Sequence, residues 1–272
     1  DASEWRSTLV AAGCEASFGA SGRAPTAQAV IDHLTRDPGN PSSILACLEM
    51  ARRNARTDRT GITTDMWEAV NSAWLEARNL REEDFAVESV RRFLEWVKER
   101  SLRFGGAALG TMLRNDAYWF TRLGMAIERA DSTARILDVK HQALLPRAGD
   151  GGGTRDYYQW TSILRSVSAQ RAYHWVYRDR LQPRLVADLL ILRPEMPRSL
   201  VACCFDLSRH LDLLADSYGA RGECHRLAGR MHAELRYGRI DDVFARGLHE
   251  FLTDFIDRNV VLGDEIARHY LS

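Results

Sequence analysis

Apolar residues recur along this chain at steps of three and four, the period of helices that each bury one face. The longest such run is Asn115 to Leu145. Leu123, Ile127, Ala130, Ala134 and Leu137 share one face of it, and no proline interrupts until Pro146. Glu128, Asp131, Arg135 and Asp138 form a second stripe at steps of 3, 4 and 3, and Arg122 and Arg129, one heptad apart, form a third. The pattern predicts a long helix with an apolar seam between two ionic rows. Ala130 and Ala134 on that seam let a neighbouring helix approach closely.

Ahead of it, the pattern predicts a helix from about Glu4 to Gly19, capped by Ser3, with Trp5, Leu9 and Cys14 as apolar anchors. Thr26 caps a short helix through Val30, Ile31 and Leu34. Asp37 to Ser43 reads as a turn followed by a helix start, capped by Asn40 or Ser42 with Pro41 at the first helical position. That helix is expected to bury Ile44, Leu48, Ala51 and Ala55, with Arg52, Arg56 and Arg59 outside. Thr64 and Asp65 open the next, with Trp67, Val70 and Trp74 inward. A longer helix starts near Glu82 and runs towards Gly105, where Gly105, Gly106 and Gly110 predict a bend.

After Pro146, Gly149 to Gly153 reads as a flexible linker. It lacks the Gly-Lys-Ser/Thr ending of a phosphate loop. The second half then echoes the first. Trp5 to Leu9 corresponds to Trp160 to Leu164, Phe18 to Tyr173, Asp37 to Ile44 to Arg193 to Leu200, Cys47 to Cys203, Phe93-Leu94 to Phe251-Leu252, and Gly105 to Gly263. The offset creeps from 155 (160 minus 5) to 158 (251 minus 93), as small loop insertions would cause. The expected architecture is therefore all-α: a single pseudo-two-fold helical bundle built from two tandem helical repeats. Repeat one covers 1–113, the long helix 114–146, the linker 147–155 and repeat two 156–272. Because the long helix precedes repeat two, a counterpart is expected ahead of repeat one, and none is present. Either the chain is a piece of a longer protein or that helix has been lost; if it was cut, the seam of repeat one is exposed unless a partner covers it.

Composition narrows the partners. At 272 residues the chain can bury a real core unaided. Its 37 basic and 37 acidic residues cancel, which argues against a dedicated nucleic-acid or anionic-membrane binder. No apolar run approaches the ~20 residues of a membrane span, and the opening stretch does not read as a signal peptide. The five cysteines have no CxxC spacing, which disfavours a disulfide framework or a zinc finger. Cys14 and Cys47 read as small core residues in a reducing cytoplasm.

Candidate chemistry sits on the ionic rows. Repeat one offers Arg52, Arg56 and Glu68, and the long helix offers Arg122, Glu128, Arg129, Asp131 and Arg135. Guanidinium forks suit carboxylate or phosphate groups. A Glu among them, here Glu128, can act as a base or orient an amine. The competing reading is a solvated charge ladder worth ~0.2–0.5 kcal/mol per pair. No Glu-x-x-His occurs, so a di-iron bundle is not expected and no metal is assigned; His225 and His232 lack an acidic partner at useful spacing. His33, His141, His174 and His249 read as surface or satisfied polar residues. Cys203 and Cys204 lie in an apolar helical run and read as packing. Tyr157, Tyr158, Trp160, Tyr173, Trp175 and Tyr177 at helical spacing read as core before they read as a base-stacking platform.

The run Trp119 to Asp138, with Glu128-Arg129-Ala130 and Ala134-Arg135-Ile136-Leu137-Asp138, resembles the characteristic helix of the bacterial alpha-E domain family. Asn54-Ala55-Arg56 and Met66-Trp67-Glu68 match that family's pattern too, where the second half has drifted to His210 and Asp212. The resemblance implies a helical protein encoded beside, or fused to, ATP-grasp ligases that make amide bonds, with its own such helix at the start. The expected role is an accessory or substrate-binding component of such a ligase, handling a peptide or an amine or carboxylate substrate in the cytoplasm. ATP and magnesium are implied only for that ligase, and no cofactor for this chain. A stand-alone acyl-transfer or peptide-bond enzyme using Glu128 and a structural interaction module are the alternatives, and the oligomeric state is left open.

Overall fold

The computed structural model describes residues 2–144 and 154–271, with the side chains of 140–144 and 154–157 left out of the description. The Gly149 to Gly153 stretch and the side chains of His141 and Tyr157 therefore lie outside the described residues. Within them the protein is all-helical: fourteen α-helices, one 3-10 turn and no strand. The chain divides into two compact units, residues 1–118 and 119–272.

In the first unit α1 is Ala2–Ala11 and α2 is Glu15–Ala20. One continuous helix was expected here. Gly13 adopts φ 66°, a left-handed conformation that ends α1, and Cys14 restarts the chain. Next, α3 spans Ala27–Thr35, and Thr26 caps it by accepting from the Ala29 N–H. Leu9, Cys14, Phe18 and Val30 from these three helices and the link between the first two form a small core. His33 is buried but satisfied, with Ser17 at 3.0 Å and Asp37 at 2.9 Å.

Helix α4 is Ile44–Thr57, and its cap position is Ser43 rather than Asn40 or Ser42. Asn40 instead closes the turn by donating to the His33 carbonyl at 2.8 Å, which keeps Pro41 out of the helix. Then come α5, Thr64–Ala77, capped by Thr63, the 3-10 turn Glu82–Phe85, and α6, Val90–Thr111. α6 continues unbroken through Gly105, Gly106 and Gly110; nothing lies within 4 Å of where their β-carbons would be. The packing centre is α5, which buries Met66, Ala69, Val70, Ala73 and Ala77 between α4 and α6.

Of the α4 residues expected inside, only Ala55 is buried; Ile44 and Leu48 are half-buried and Ala51 is exposed. Cys47 is exposed too, contrary to its reading as a core residue. α6 likewise buries only Phe93 and Ala108, and leaves Leu94, Leu102 and Leu109 exposed. Burial follows from what lies over a helix as well as from its own period, and α4 and α6 each keep one apolar face open.

The second unit is built around α7, Asp116–Leu144, which starts at the division between the units. After it come α8, Thr154–Ser166, α9, Gln170–Tyr177, and α10, Pro183–Ile191, with proline in the first turn where no N–H is required. α8 thus begins inside the stretch expected to be linker. The remaining helices are α11, Leu200–Tyr218, α12, Glu223–Tyr237, α13, Ile240–Arg246, and α14, Leu248–Tyr270. Gly219, at φ 71°, ends α11, and Gly247, at φ 97°, divides α13 from α14.

This unit holds the large core. Leu123, Ala126, Ala130, Ala134 and Leu137 of α7 join residues of α8, α10, α11, α12 and α14 in one cluster. α11 buries nine residues, Cys203 and Cys204 among them. Trp160 and Tyr173 are core, whereas Tyr158 and Trp175 are exposed. α7 runs antiparallel to α14: Asp138 accepts from His249 at 2.6 Å, Asn259 donates to the Ile127 carbonyl at 3.1 Å, and the Phe120 and Tyr270 rings meet edge-on. These ties along its length hold the rotation of α7, and with it the direction of its polar residues.

Candidate functional site

The seam of α7 fixes its ionic rows. With Ala130 and Ala134 fully buried, Glu128, Arg129 and Asp131 are turned to the helix flanks. Arg135 reaches back one turn and grips Asp131 with two hydrogen bonds, Nε at 2.7 Å and Nη2 at 3.1 Å. This fork occupies both partners.

Arg122 points to α11 instead, where its Nη2 donates to Asp206 at 2.7 Å. The Asp206 backbone carbonyl accepts from His210 Nδ1 at 2.6 Å. Burial, followed by the nearby Arg122 and Arg209, holds His210 below the ordinary histidine range. Arg198 joins from the residue before Ser199, whose hydroxyl caps α11 by accepting from the Ala202 N–H at 3.2 Å.

Arg129 lies among these groups. It is half-buried and forms no ion pair among the described residues. Burial lowers its proton affinity first; Arg198 and Arg122 lower it further, while Cys203 and Asp206 oppose them weakly. Glu128 reaches solvent, yet the atoms crowding its carboxylate raise its pKa, and Asp131 adds to that rise; Arg198 and Arg135 pull the other way. The Cys203 thiol is pushed up to about 11, chiefly by burial, so it stays protonated at neutral pH. The result is a patch with several arginines, one desolvated glutamate and no thiolate.

Of the residues expected to bind substrate, Arg122, Arg129, Asp131 and Arg135 thus surround Glu128 on one helix in the second unit. Arg52, Arg56 and Glu68 belong to the first unit. There Arg52 donates to Asn71 at 2.9 Å, and Arg56 and Glu68 are exposed on α4 and α5. Arg198, Asp206 and His210 were not among the candidates for this patch. Arg198 stands directly before a serine cap, a position a sequence reader could have marked. Asp206 is 84 residues from Arg122, a separation no helical period reports.

Among the described residues, no three His, Cys, Asp or Glu side chains gather as a metal site. No described helix is long and apolar enough to cross a membrane. Two open grooves occur elsewhere in the second unit. One, of about 340 Å³, is lined by Trp175, Val176, Leu189 and Met196; the other, of about 370 Å³, by Phe205, Asp212, Asp216 and His232. Neither includes Glu128 or Arg129.

A family described as a predicted alpha-helical domain with a conserved ER motif matches residues 1–271. The sequence holds two Glu-Arg pairs, Glu99-Arg100 in α6 and Glu128-Arg129 at the middle of α7. No curated protein and no solved structure matches the chain.

Proposed function

Because the chain belongs to the Alpha-E family, we propose that it is the substrate-binding, non-catalytic partner of an ATP-grasp-type ligase that forms amide bonds. ATP and magnesium belong to that ligase in this reading. The carrying observation is the state of the Glu-Arg pair: Arg129 is half-buried beside Arg122 and Arg198 with no carboxylate of its own. A charge held this way costs stability unless something else answers it, and a substrate's acidic group does so.

Reconstitution tests the reading. The chain, ATP, a peptide acceptor and the neighbouring ATP-grasp protein are combined, with each omitted in turn. Product is expected only with the ligase present, and faster with this chain than without it. Arg129→Met should raise KM for the substrate and leave the complex with the ligase intact. Product formed with the ligase omitted overturns the reading.

One observation favours a second reading, an acyl-transfer or peptide-bond enzyme in its own right. The raised pKa of Glu128 moves it towards the range of a useful general base. In that case Glu128→Gln abolishes turnover by the isolated chain. In the ligase-partner reading it only weakens substrate binding.

A further inference from the structure

In the first unit three polar side chains meet in a line. His33, on α3, has no exposed surface. Ser17, on α2, places Oγ 3.0 Å from the ring Nε2, and Asp37, in the turn after α3, places Oδ2 2.9 Å from Nδ1. A carboxylate only accepts, so Nδ1 carries the ring proton and the neutral ring offers the Nε2 lone pair to the Ser17 hydroxyl. Asp37 is ionised: its pKa is held at about 2, first by the bond to His33 and then by the Gly39 N–H. Arg23 donates to the same Oδ2 and brings its Nη2 3.1 Å from Nδ1, so Asp37 and Arg23 are the charged groups touching the ring. Phe18 meets the ring edge-on at 5.2 Å. When the ring is protonated, Nε2 becomes a donor, and the Ser17 hydroxyl turns to the Cys14 carbonyl, also at 3.0 Å.

Packing does not require this set. α3 and α10 each have nine residues and start 156 positions apart (183 minus 27), and α2 and α9 start 155 apart (170 minus 15). On that match Ser17, His33 and Asp37 correspond to Ala172, Leu189 and Arg193. The second unit therefore folds with an apolar pair where the first holds a hydroxyl and an imidazole. The matching place is also open there, because Ala172, Leu189 and Arg193 line the groove of about 340 Å³. Around Ser17 the neighbours are small. Ala16, Ala20 and Ser21 are exposed, and nothing lies within 4 Å of where the β-carbons of Gly19 and Gly22 would be, which leaves room to approach the half-buried serine.

We propose that the first unit carries a serine acyl-transfer site for small esters, with Ser17 as nucleophile, His33 as general base and Asp37 as the residue that positions the ring. Ser17 Oγ bonds to the ester carbonyl carbon as its proton passes to His33 Nε2; the bond to the alcohol oxygen breaks, and the alcohol leaves with that proton. Water then attacks the acyl-serine, giving its proton to Nε2; the acid leaves, and Ser17 recovers the proton. Ester and water are consumed, and acid and alcohol are formed. This site is separate from the ligase partnership, which concerns amide formation and the α7 patch of the second unit.

Diisopropyl fluorophosphate and p-nitrophenyl acetate are the probes, applied to the full chain. The fluorophosphate should add to Ser17 alone, within the tryptic peptide 7–23, with loss of fluoride, and the urea-unfolded chain should not react. In a Cys47→Ser chain, which removes the exposed thiol, the ester should give a burst of about one p-nitrophenolate per chain. Ser17→Ala should abolish both reactions, and His33→Gln should slow them about 100-fold or more. Asp37→Asn should move the acid limb of the labelling rate to lower pH, because the imidazolium loses its carboxylate and keeps Arg23; a loosened turn alone would not move it. Ser7→Ala, whose hydroxyl bonds to the Ser3 carbonyl of its own helix, should change nothing. The site is overturned if the native chain reacts no faster than the unfolded one, if the label sits on another residue, or if Ser17→Ala or folded His33→Gln reacts like the wild type. Should His33→Gln fail to fold, Ser17→Ala, which removes a single oxygen, decides the matter. Labelling at Ser17 with no effect on any ligase keeps this site and removes the partnership; ligase-dependent product with an unreactive Ser17 does the reverse.

Discussion

Replacing Arg129 by methionine should make the unliganded protein more stable. The arginine is half-buried, lies in the field of Arg198 and Arg122, and forms no ion pair among the described residues. Its proton affinity is depressed, which means the folded surroundings disfavour its charge. Methionine keeps the length and apolar character of the stem and removes the desolvated head. Exchanging buried charges for apolar groups of similar size is neutral to stabilising by ~1–4 kcal/mol, and the partial exposure of Arg129 lets water screen it, so about 1 kcal/mol is expected. That corresponds to a rise of about 2–4 °C in the midpoint of a unit of this size. Thermal and urea unfolding in a phosphate-free, low-salt buffer make the measurement, with hydrogen exchange of the α11 amides assigning the change to the second unit. The gain should shrink at high salt, where the repulsion is screened. A variant less stable than the wild type in low salt would refute the reasoning, because the guanidinium would then be making contacts that favour the fold.

Acid should weaken the second unit through His225. Its Nδ1 accepts from the Gly222 N–H at 2.9 Å and its Nε2 donates to the Leu211 carbonyl at 3.1 Å, an arrangement open only to the neutral ring. Burial is the main cause holding its pKa below the unfolded value of about 6.5, so the unfolded chain takes up the proton first. The stability it contributes is present above that value and is lost as pH falls towards the lower folded pKa. Urea midpoints between pH 7.5 and 5.5 should fall, and less so in His225→Gln; identical slopes would contradict this. Asn259→Ala, which removes the bond to the Ile127 carbonyl, should cost about 1–2 kcal/mol in urea unfolding. Ala130→Leu, at a position with no exposed surface against the core, should cost ~1–3 kcal/mol by overpacking; an unchanged midpoint would mean α7 can shift outward.

Much of the second-unit site was legible because it is local to one helix. Period alone puts Ala130 and Ala134 inside and Glu128, Arg129, Asp131 and Arg135 on the flanks. What period cannot report is the helix that packs alongside. Arg198, Asp206 and His210 reach the patch through tertiary contact, so they were missed although Asp206 and His210 sit at ordinary positions of α11 and Arg198 just ahead of its cap. The same limit explains the cysteines: Cys47 and Cys203 occupy matching places in the sequence, yet one is exposed and the other buried, because burial depends on what covers the helix. Local backbone geometry was the other blind spot. Gly13 falls inside the single helix expected from Glu4 to Gly19, and its left-handed conformation makes two. Conversely Gly105, Gly106 and Gly110, which weaken helix locally, do not break α6.

The exposure of Cys47 gives the protein a built-in attachment point. Cys14, Cys203, Cys204 and Cys224 are buried. A maleimide fluorophore added to native protein should therefore mark the sulfur on α4 and spare the other four until the chain is denatured, which mass spectrometry would count. A dye seated there would report, by its colour and tumbling, whatever molecule settles on that open face, with no residue changed.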